Sequence, residues 1–231
     1  MTRRNFLAVA GLAQGATSTG GLAVPVCLIQ DGRAKFEKDR LAAFWGETWA
    51  QALRDLGRCG IRLDVKRAAG EVKRLPSNRP SLTGLERGRL NVVVTNQLPL
   101  AWDNGRGLNG VTTLYQGFHL CMVAVHFAHG HQVPFFSLNT CVHELLHALC
   151  GDIFENRPEG AEGAWRELRI DALATRLWLF GDGVGVRLMA ERYVRRLRGS
   201  AHSPARMRRP EPGVAAVKVT SWPAVAAGAR T

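Results

Sequence analysis

Residues 139–151, Asn-Thr-Cys-Val-His-Glu-Leu-Leu-His-Ala-Leu-Cys-Gly, are the most informative stretch of this 231-residue sequence. Asn139 and Thr140 both belong to the residue types that cap the start of a helix, and Gly151 is a typical helix stop. The leucines between them give the helix an apolar side to bury. The stretch therefore predicts a short helix that packs against a core.

The same helix carries His143, Glu144 and His147, which form a His-Glu-x-x-His (HExxH) motif. Residues four apart lie on one helix face, so the two imidazoles can converge on a single small cation. Glu144 is offset by about 100° and can reach a water molecule at that cation without occupying a coordination position. The alternative is a helix with two hydrogen-bonded histidines and a solvated glutamate.

A catalytic zinc site takes three protein ligands and keeps a fourth position open, so a third ligand is needed. Asp152, just past the end of the helix, is one candidate. Glu167 and Asp171 are four residues apart on a helix predicted for residues 164–180. There, one carboxylate can bind the metal while the other accepts the N–H of a ligand histidine. Alternatively, the two form a solvated acidic pair beside neighbouring arginines.

Apolar periodicity predicts the elements around this helix. Helices are expected between residues 32 and 56 and at 139–150, 164–180 and 184–197. Strands are expected at 61–65, 90–95 and 118–127, with loops at 66–89 and 99–110. This order of helices and strands indicates the α+β class.

The motifs resemble a known family. HExxH followed by ExxxD, here Glu167 to Asp171, resembles the gluzincin signature of thermolysin-like peptidases. Residues 167–177 are also similar to the ExxA(D/N)xFAxxLL stretch of the ImmA/IrrE family of zinc-peptidase-like proteins. The likeness covers residues 115–180. It departs from both groups, because no large helical domain follows and Leu179-Phe180-Gly181 stands where ImmA/IrrE proteins commonly have Met-Pro.

The resemblance implies a zincin-like fold, with a small mixed sheet, an active-site helix and a following ligand-bearing helix. It also implies one zinc ion per chain, with His143, His147 and Glu167 as ligands. Glu144 would be the general base and Asp171 the carboxylate partner of His143. The chain is accordingly expected to be a zinc metallopeptidase, a hydrolase that acts on a peptide or protein substrate.

Three further features have weaker functional interpretations. Tyr193 can polarise a carbonyl oxygen at the site or fill an apolar stripe of its own helix. The compact set of His126, His129 and His131 can bind a second metal or form a solvated loop. The apolar run at 118–127 can accept an extended peptide or form core sheet.

The first residues resemble a twin-arginine export signal. Thr2-Arg-Arg-Asn-Phe-Leu7 matches its pattern, and residues 6–30 carry no charge. Residues 1–23 are expected to be a signal and cleavage region, with small-x-small cleavage sites that end at Gly15 and at Ala23. The mature protein would be periplasmic or extracellular. The alternative is an uncleaved, disordered N-terminus on a cytoplasmic protein.

The catalytic domain is expected over residues 31–198, followed by a disordered, basic Pro/Ala-rich tail at 199–231. The chain has 31 Lys and Arg against 19 Asp and Glu, a net charge of +12. Much of the excess lies at Arg187–Arg209, which allows an anionic surface as partner; the alternative is a solvated helix face followed by a Pro-rich tail. Tyr193 is the one aromatic residue of that window, so base stacking, and with it nucleic-acid binding, is disfavoured.

The five cysteines are odd in number and include no CxxC pair, which argues against a disulfide scaffold and a thiolate zinc ribbon.

Two other functions remain open. One is a cytoplasmic regulatory protein that uses the same metal site on one protein partner, as the ImmA/IrrE likeness suggests. The other is a basic binding protein without catalysis, in which the metal is structural and residues 187–209 contact the partner. An unprocessed N-terminus would favour the regulator.

Overall fold

The computed structural model of the chain describes residues 21–74, 80–98, 109–125, 131–133, 136–151 and 161–202. Its strands are β1 (Leu22–Asp31), β2 (Ile61–Gly70), β3 (Val72–Arg74), β4 (Pro80–Leu82), β5 (Leu90–Thr95), β6 (Gly110–Tyr115), β7 (Phe118–Ala124), β8 (His131–Val133) and β9 (Phe136–Leu138). Helix α1 runs through Lys38–Ala43, the π-helical segment Phe44–Trp49 and Ala50–Arg58. The later helices are α2 (Thr140–Leu149), α3 (Ala161–Phe180) and α4 (Val184–His202).

Five strands form one mixed sheet in the order β2-β1-β5-β7-β6. β1 is parallel to both β2 and β5, and β5 is parallel to β7. β6 is antiparallel to β7 and forms one edge of the sheet. All six residues of β5 are buried, as expected for a strand covered on both faces.

The main core lies between one face of this sheet and the four helices. α2 occupies its centre: all ten of its residues are buried, and it packs against β6 and β7 as well as α1, α3 and α4. A second apolar cluster on the opposite face includes Ile29, Val93, Leu120 and Met122. α2 is therefore enclosed between the sheet and the other three helices.

The predicted mixed sheet and the pair of helices that carry the motifs are confirmed. The sheet is mainly parallel, however, and its interior strand β1 precedes α1, so strands and helices alternate more than the predicted α+β order suggests. Strand 90–95 and the helix that begins beside Asn139 match their predicted positions. Within the part of the chain that the structure describes, no helix is both long and apolar enough to cross a bilayer.

The prediction was wrong about where the domain begins. Leu22–Asp31, placed mostly ahead of the domain start at residue 31, is an interior strand whose first pair is Leu22 with Ile61. An uncharged apolar run is typical both of an export signal and of a strand buried on both faces, so composition alone does not separate them. The sheet thus includes the last two residues of the predicted signal region 1–23.

Other boundaries also differ from the prediction. The expected loop at 66–89 contains the end of β2 together with β3 and β4, and β6 was not predicted as a strand. The strand predicted at 118–127 ends at Ala124 and lies between β5 and β6, so both of its edges are paired and neither is open to a peptide. α4 continues to His202, so the first four residues of the predicted tail are helical, while residues 203–231 lie outside the described ranges.

One polar pair is enclosed in the core between the sheet and α4. His119 Nδ1 on β7 lies 3.1 Å from the Tyr193 hydroxyl oxygen on α4, and both residues are buried. Burial lowers the pKa of His119 to about 4, since a charged imidazole would lose its hydration there. The pair is consequently neutral at physiological pH.

This pair predicts a loss of stability in mild acid. Between pH 6.5 and 4 the unfolded chain takes up a proton at His119 and the folded chain does not, so the free energy of unfolding falls as the pH falls. The His119 contribution should be about 2 kcal/mol smaller at pH 5 than at pH 7. Urea unfolding at both pH values should show a clearly smaller pH effect for His119→Gln than for the wild type. Identical pH dependence of the two proteins would contradict the assignment.

Candidate metal centre

The start of α2 is fixed by Asn139. Its side-chain oxygen accepts a hydrogen bond from the Val142 amide at 3.2 Å, and its side-chain nitrogen donates to the Thr48 carbonyl of α1. Of the two predicted capping residues, Asn139 is thus the cap. The cap fixes where α2 begins and ties its first turn to α1.

Three side chains from α2 and α3 converge on one point. His143 Nε2 lies 3.0 Å from His147 Nε2 and 3.1 Å from Glu167 Oε2, and His147 Nε2 lies 3.3 Å from the same oxygen. These atoms form the one potential metal-ligand cluster of three or more His, Cys, Asp or Glu residues found among the described residues. Tetrahedral zinc with bonds of about 2.0–2.1 Å holds its ligand atoms roughly 3.3–3.4 Å apart. The observed triangle therefore fits a single ion of this size.

Asp171 contacts the ring nitrogen of His143 that is not one of the three ligand atoms. Its Oδ1 lies 2.9 Å from His143 Nδ1, one helical turn beyond Glu167 on α3. A carboxylate at that position accepts a hydrogen bond from the Nδ1–H group. The Nε2 lone pair is then directed towards the other ligand atoms of the cluster. The structure thus places Asp171 where a partner of a metal-binding histidine has to be.

The cluster favours positive charge. Burial alone lowers the pKa of His143, but hydrogen bonds to Asp171 and Glu167 and the negative charges of Glu144 and Glu167 outweigh it and raise that pKa to about 10. Burial raises the pKa of Glu167, and its hydrogen bonds to the two histidines reverse this and lower it well below its usual range. The cluster therefore retains a proton at the position where it can also bind a metal ion. The proton and the metal ion compete for the same histidine nitrogen atoms.

Glu144 is adjacent to His143 but outside the triangle of ligand atoms. Its Oε2 accepts a hydrogen bond of 2.7 Å from the Thr112 hydroxyl on the edge strand β6. The residue is buried, and its carboxylate lies against Gly110 of the same strand. The carboxylate is thus held beside the cluster without being one of its three ligand atoms.

Among the other candidate residues, Tyr193 is the one whose side chain the structure describes, and it is not part of this cluster. The hydroxyl of Tyr193 is in contact with His119 in the core, and Tyr193 is fully buried. Asp152, His126 and His129 lie outside the described residues, as does the side chain of His131. Burial of Tyr193 gives no support to a role in polarising a substrate carbonyl.

Two cysteines near the motif, Cys121 and Cys141, are not activated. No disulfide joins any of the five cysteines. Burial, and then the charge of Glu144, raise the pKa of both Cys121 and Cys141, so each remains a thiol. A protonated buried thiol is a poor nucleophile.

Sequence reasoning missed Thr112 and Gly110, because β6 was not recognised. The available sequence signal is the Gln116-Gly117 pair between two largely apolar stretches; in the structure both residues have positive φ angles, 49° and 80°, and join β6 to β7. Two consecutive residues with positive φ are typical of a tight hairpin turn. A hairpin there would have placed Thr112 opposite Cys121 on the neighbouring strand.

No family model matches the chain, and no curated protein and no solved structure shows significant similarity to it. The likeness to gluzincins therefore remains one of motifs.

The cluster predicts about one zinc ion per chain. Alanine at His143, His147 or Glu167 should abolish zinc binding, because each removes one of three ligands. Asp171→Ala should weaken affinity about 10–100-fold without abolishing it, as expected for a residue that orients a ligand. Elemental analysis of the purified proteins gives the zinc content, and competition with a chelator gives the affinity.

His119→Gln is the matched control, since it alters a buried histidine outside the cluster and should keep full zinc content. The third ligand is assigned wrongly if Glu167→Ala retains zinc while Asp152→Ala loses it.

Proposed function

We propose that this protein is a zinc-dependent peptidase of the zincin type that hydrolyses peptide bonds. The supporting observation is the spacing of the His143, His147 and Glu167 ligand atoms, together with the buried Glu144 carboxylate of the same helix, which is outside that triangle and is hydrogen-bonded to Thr112. This arrangement provides three ligands for one ion and a base that is not needed as a ligand.

The residues of the chain have separate tasks in this proposal. His143, His147 and Glu167 hold the ion, and Asp171 fixes the orientation of His143. Zinc bound by such ligands supplies a Lewis acid for the scissile carbonyl and lowers the pKa of water. Glu144 accepts a proton from the attacking water and donates it to the leaving amine.

The non-catalytic alternative receives less support. Four arginines of α4 are exposed, namely Arg192, Arg195, Arg196 and Arg198. Tyr193, the one aromatic residue of the window from Arg187 to Arg209, is buried and has no face open for base stacking. An anionic surface stays compatible with these exposed arginines, whereas nucleic acid is disfavoured further.

Glu144→Gln tests catalysis directly. The variant should keep the fold and the zinc, and its rate of hydrolysis of a peptide library or a denatured protein should fall about 10²–10⁴-fold, because the base is lost. Glu191→Gln on α4 is the same chemical change away from the cluster and should leave the rate unchanged.

Equal cleavage by wild type and Glu144→Gln would place the activity elsewhere. If neither protein cleaves any substrate and zinc removal unfolds both, the metal is structural and the α4 surface becomes the better candidate for function.

We further propose export through the twin-arginine route, with cleavage after Gly15 rather than after Ala23. The reason is β1: a cut after Ala23 removes Leu22, whose amide donates to the Gly60 carbonyl at 2.8 Å. Mass spectrometry of the protein from its native host should find a mature chain that starts at residue 16. Cytoplasmic protein with an intact N-terminus would refute export.

A further inference from the structure

We infer that the edge strand β6 positions the Glu144 carboxylate in two ways: through the Thr112 hydroxyl, and through the absence of a side chain at Gly110. The inference rests on the proposed function for its catalytic consequence, but the placement itself can be tested without activity. Thr112 and Gly110 are positioning residues in this account, since they act through Glu144.

Thr112 contacts Glu144 at two points. Its Oγ1 lies 2.7 Å from Glu144 Oε2 and 2.9 Å from the Glu144 backbone oxygen. A hydroxyl has a single proton to donate, and a hydrogen bond to a carboxylate is stronger than one to a neutral carbonyl. The proton is therefore directed to Oε2, which leaves Oε1 as the oxygen that takes up a proton from water.

The register of the sheet fixes the position of Thr112. It pairs with Cys121 on the neighbouring strand β7, and both residues are buried. Burial keeps Cys121 a protonated thiol, so no negative charge on sulfur competes with Glu144 for the Thr112 proton.

Gly110 restricts the carboxylate from the other side. A Cβ atom at this position would lie 2.5 Å from Glu144 Cγ and 2.6 Å from Oε1. Gly110 does not have a positive φ, so the requirement for glycine is one of space alone. An added methyl group would displace the carboxylate from Thr112 and from its position beside His143.

The placement is tested by a double-mutant cycle on stability. Thr112→Val should raise the unfolding equilibrium constant of the wild type about tenfold, because it leaves a buried carboxylate without its donor. In a Glu144→Ala background the same change should raise the constant less than threefold, since no carboxylate is left. Equal effects in both backgrounds would overturn the inference, whether or not the protein cleaves peptides.

The catalytic consequence is tested by kinetics at full zinc content. Thr112→Val and Gly110→Ala should lower kcat about 10–100-fold with KM nearly unchanged, whereas Thr112→Ser should restore the rate because it restores the hydroxyl. Thr113→Val is the matched control: it lies on the same strand with its side chain on the opposite face, and it should retain the wild-type rate.

These outcomes separate the two proposals. A wild type that binds zinc but cleaves nothing refutes the peptidase proposal, and the stability cycle then still decides the placement. An active wild type whose kcat is unchanged by Thr112→Val and Gly110→Ala refutes the inference alone.

Discussion

The site depends on the burial of a helix that carries two histidines and a glutamate. α2 is enclosed along its whole length, and a buried polar group without a partner costs about 1–3 kcal/mol, or more if it is charged. His143 and Glu144 are hydrogen-bonded to Asp171 and Thr112, respectively. Burial of α2 therefore requires α3 on one side and β6 on the other, and the same contacts that stabilise the fold arrange the site.

Two buried histidines show how strongly the partners decide the charge. His119 faces a neutral tyrosine hydroxyl, and burial lowers its pKa to about 4. His143 is equally buried, but the carboxylates of Asp171, Glu167 and Glu144 raise its pKa to about 10. The core between the sheet and the helices thus contains one imidazole that excludes a positive charge and another that attracts it. The second property is the one a metal centre needs.

Local sequence patterns were sufficient for the parts of the structure that local physics determines. The capped helix at 139–150 and the buried strand at 90–95 follow from periodicity and capping, and the i, i+4 spacing of Glu167 and Asp171 brings both carboxylates to the histidines. Leu22–Asp31 was misassigned because its composition suits a signal as well as a central strand. Thr112 was missed because its contact with Glu144 spans 32 positions of the chain, which no local pattern reveals.

The three ligand side chains differ in their exposure to solvent. His143 and His147 are 3% and 10% exposed, while Glu167 is 44% exposed. The imidazoles thus form the buried side of the cluster, and the carboxylate forms its solvent-exposed side. In the proposed zinc centre, an ion arriving from solvent would meet the exposed carboxylate first, so we expect Glu167 to affect exchange kinetics more than the histidines do. All three side chains would contribute to how tightly the proposed ion is held, and the exposure of Glu167 gives that residue an additional effect on how quickly the ion is exchanged.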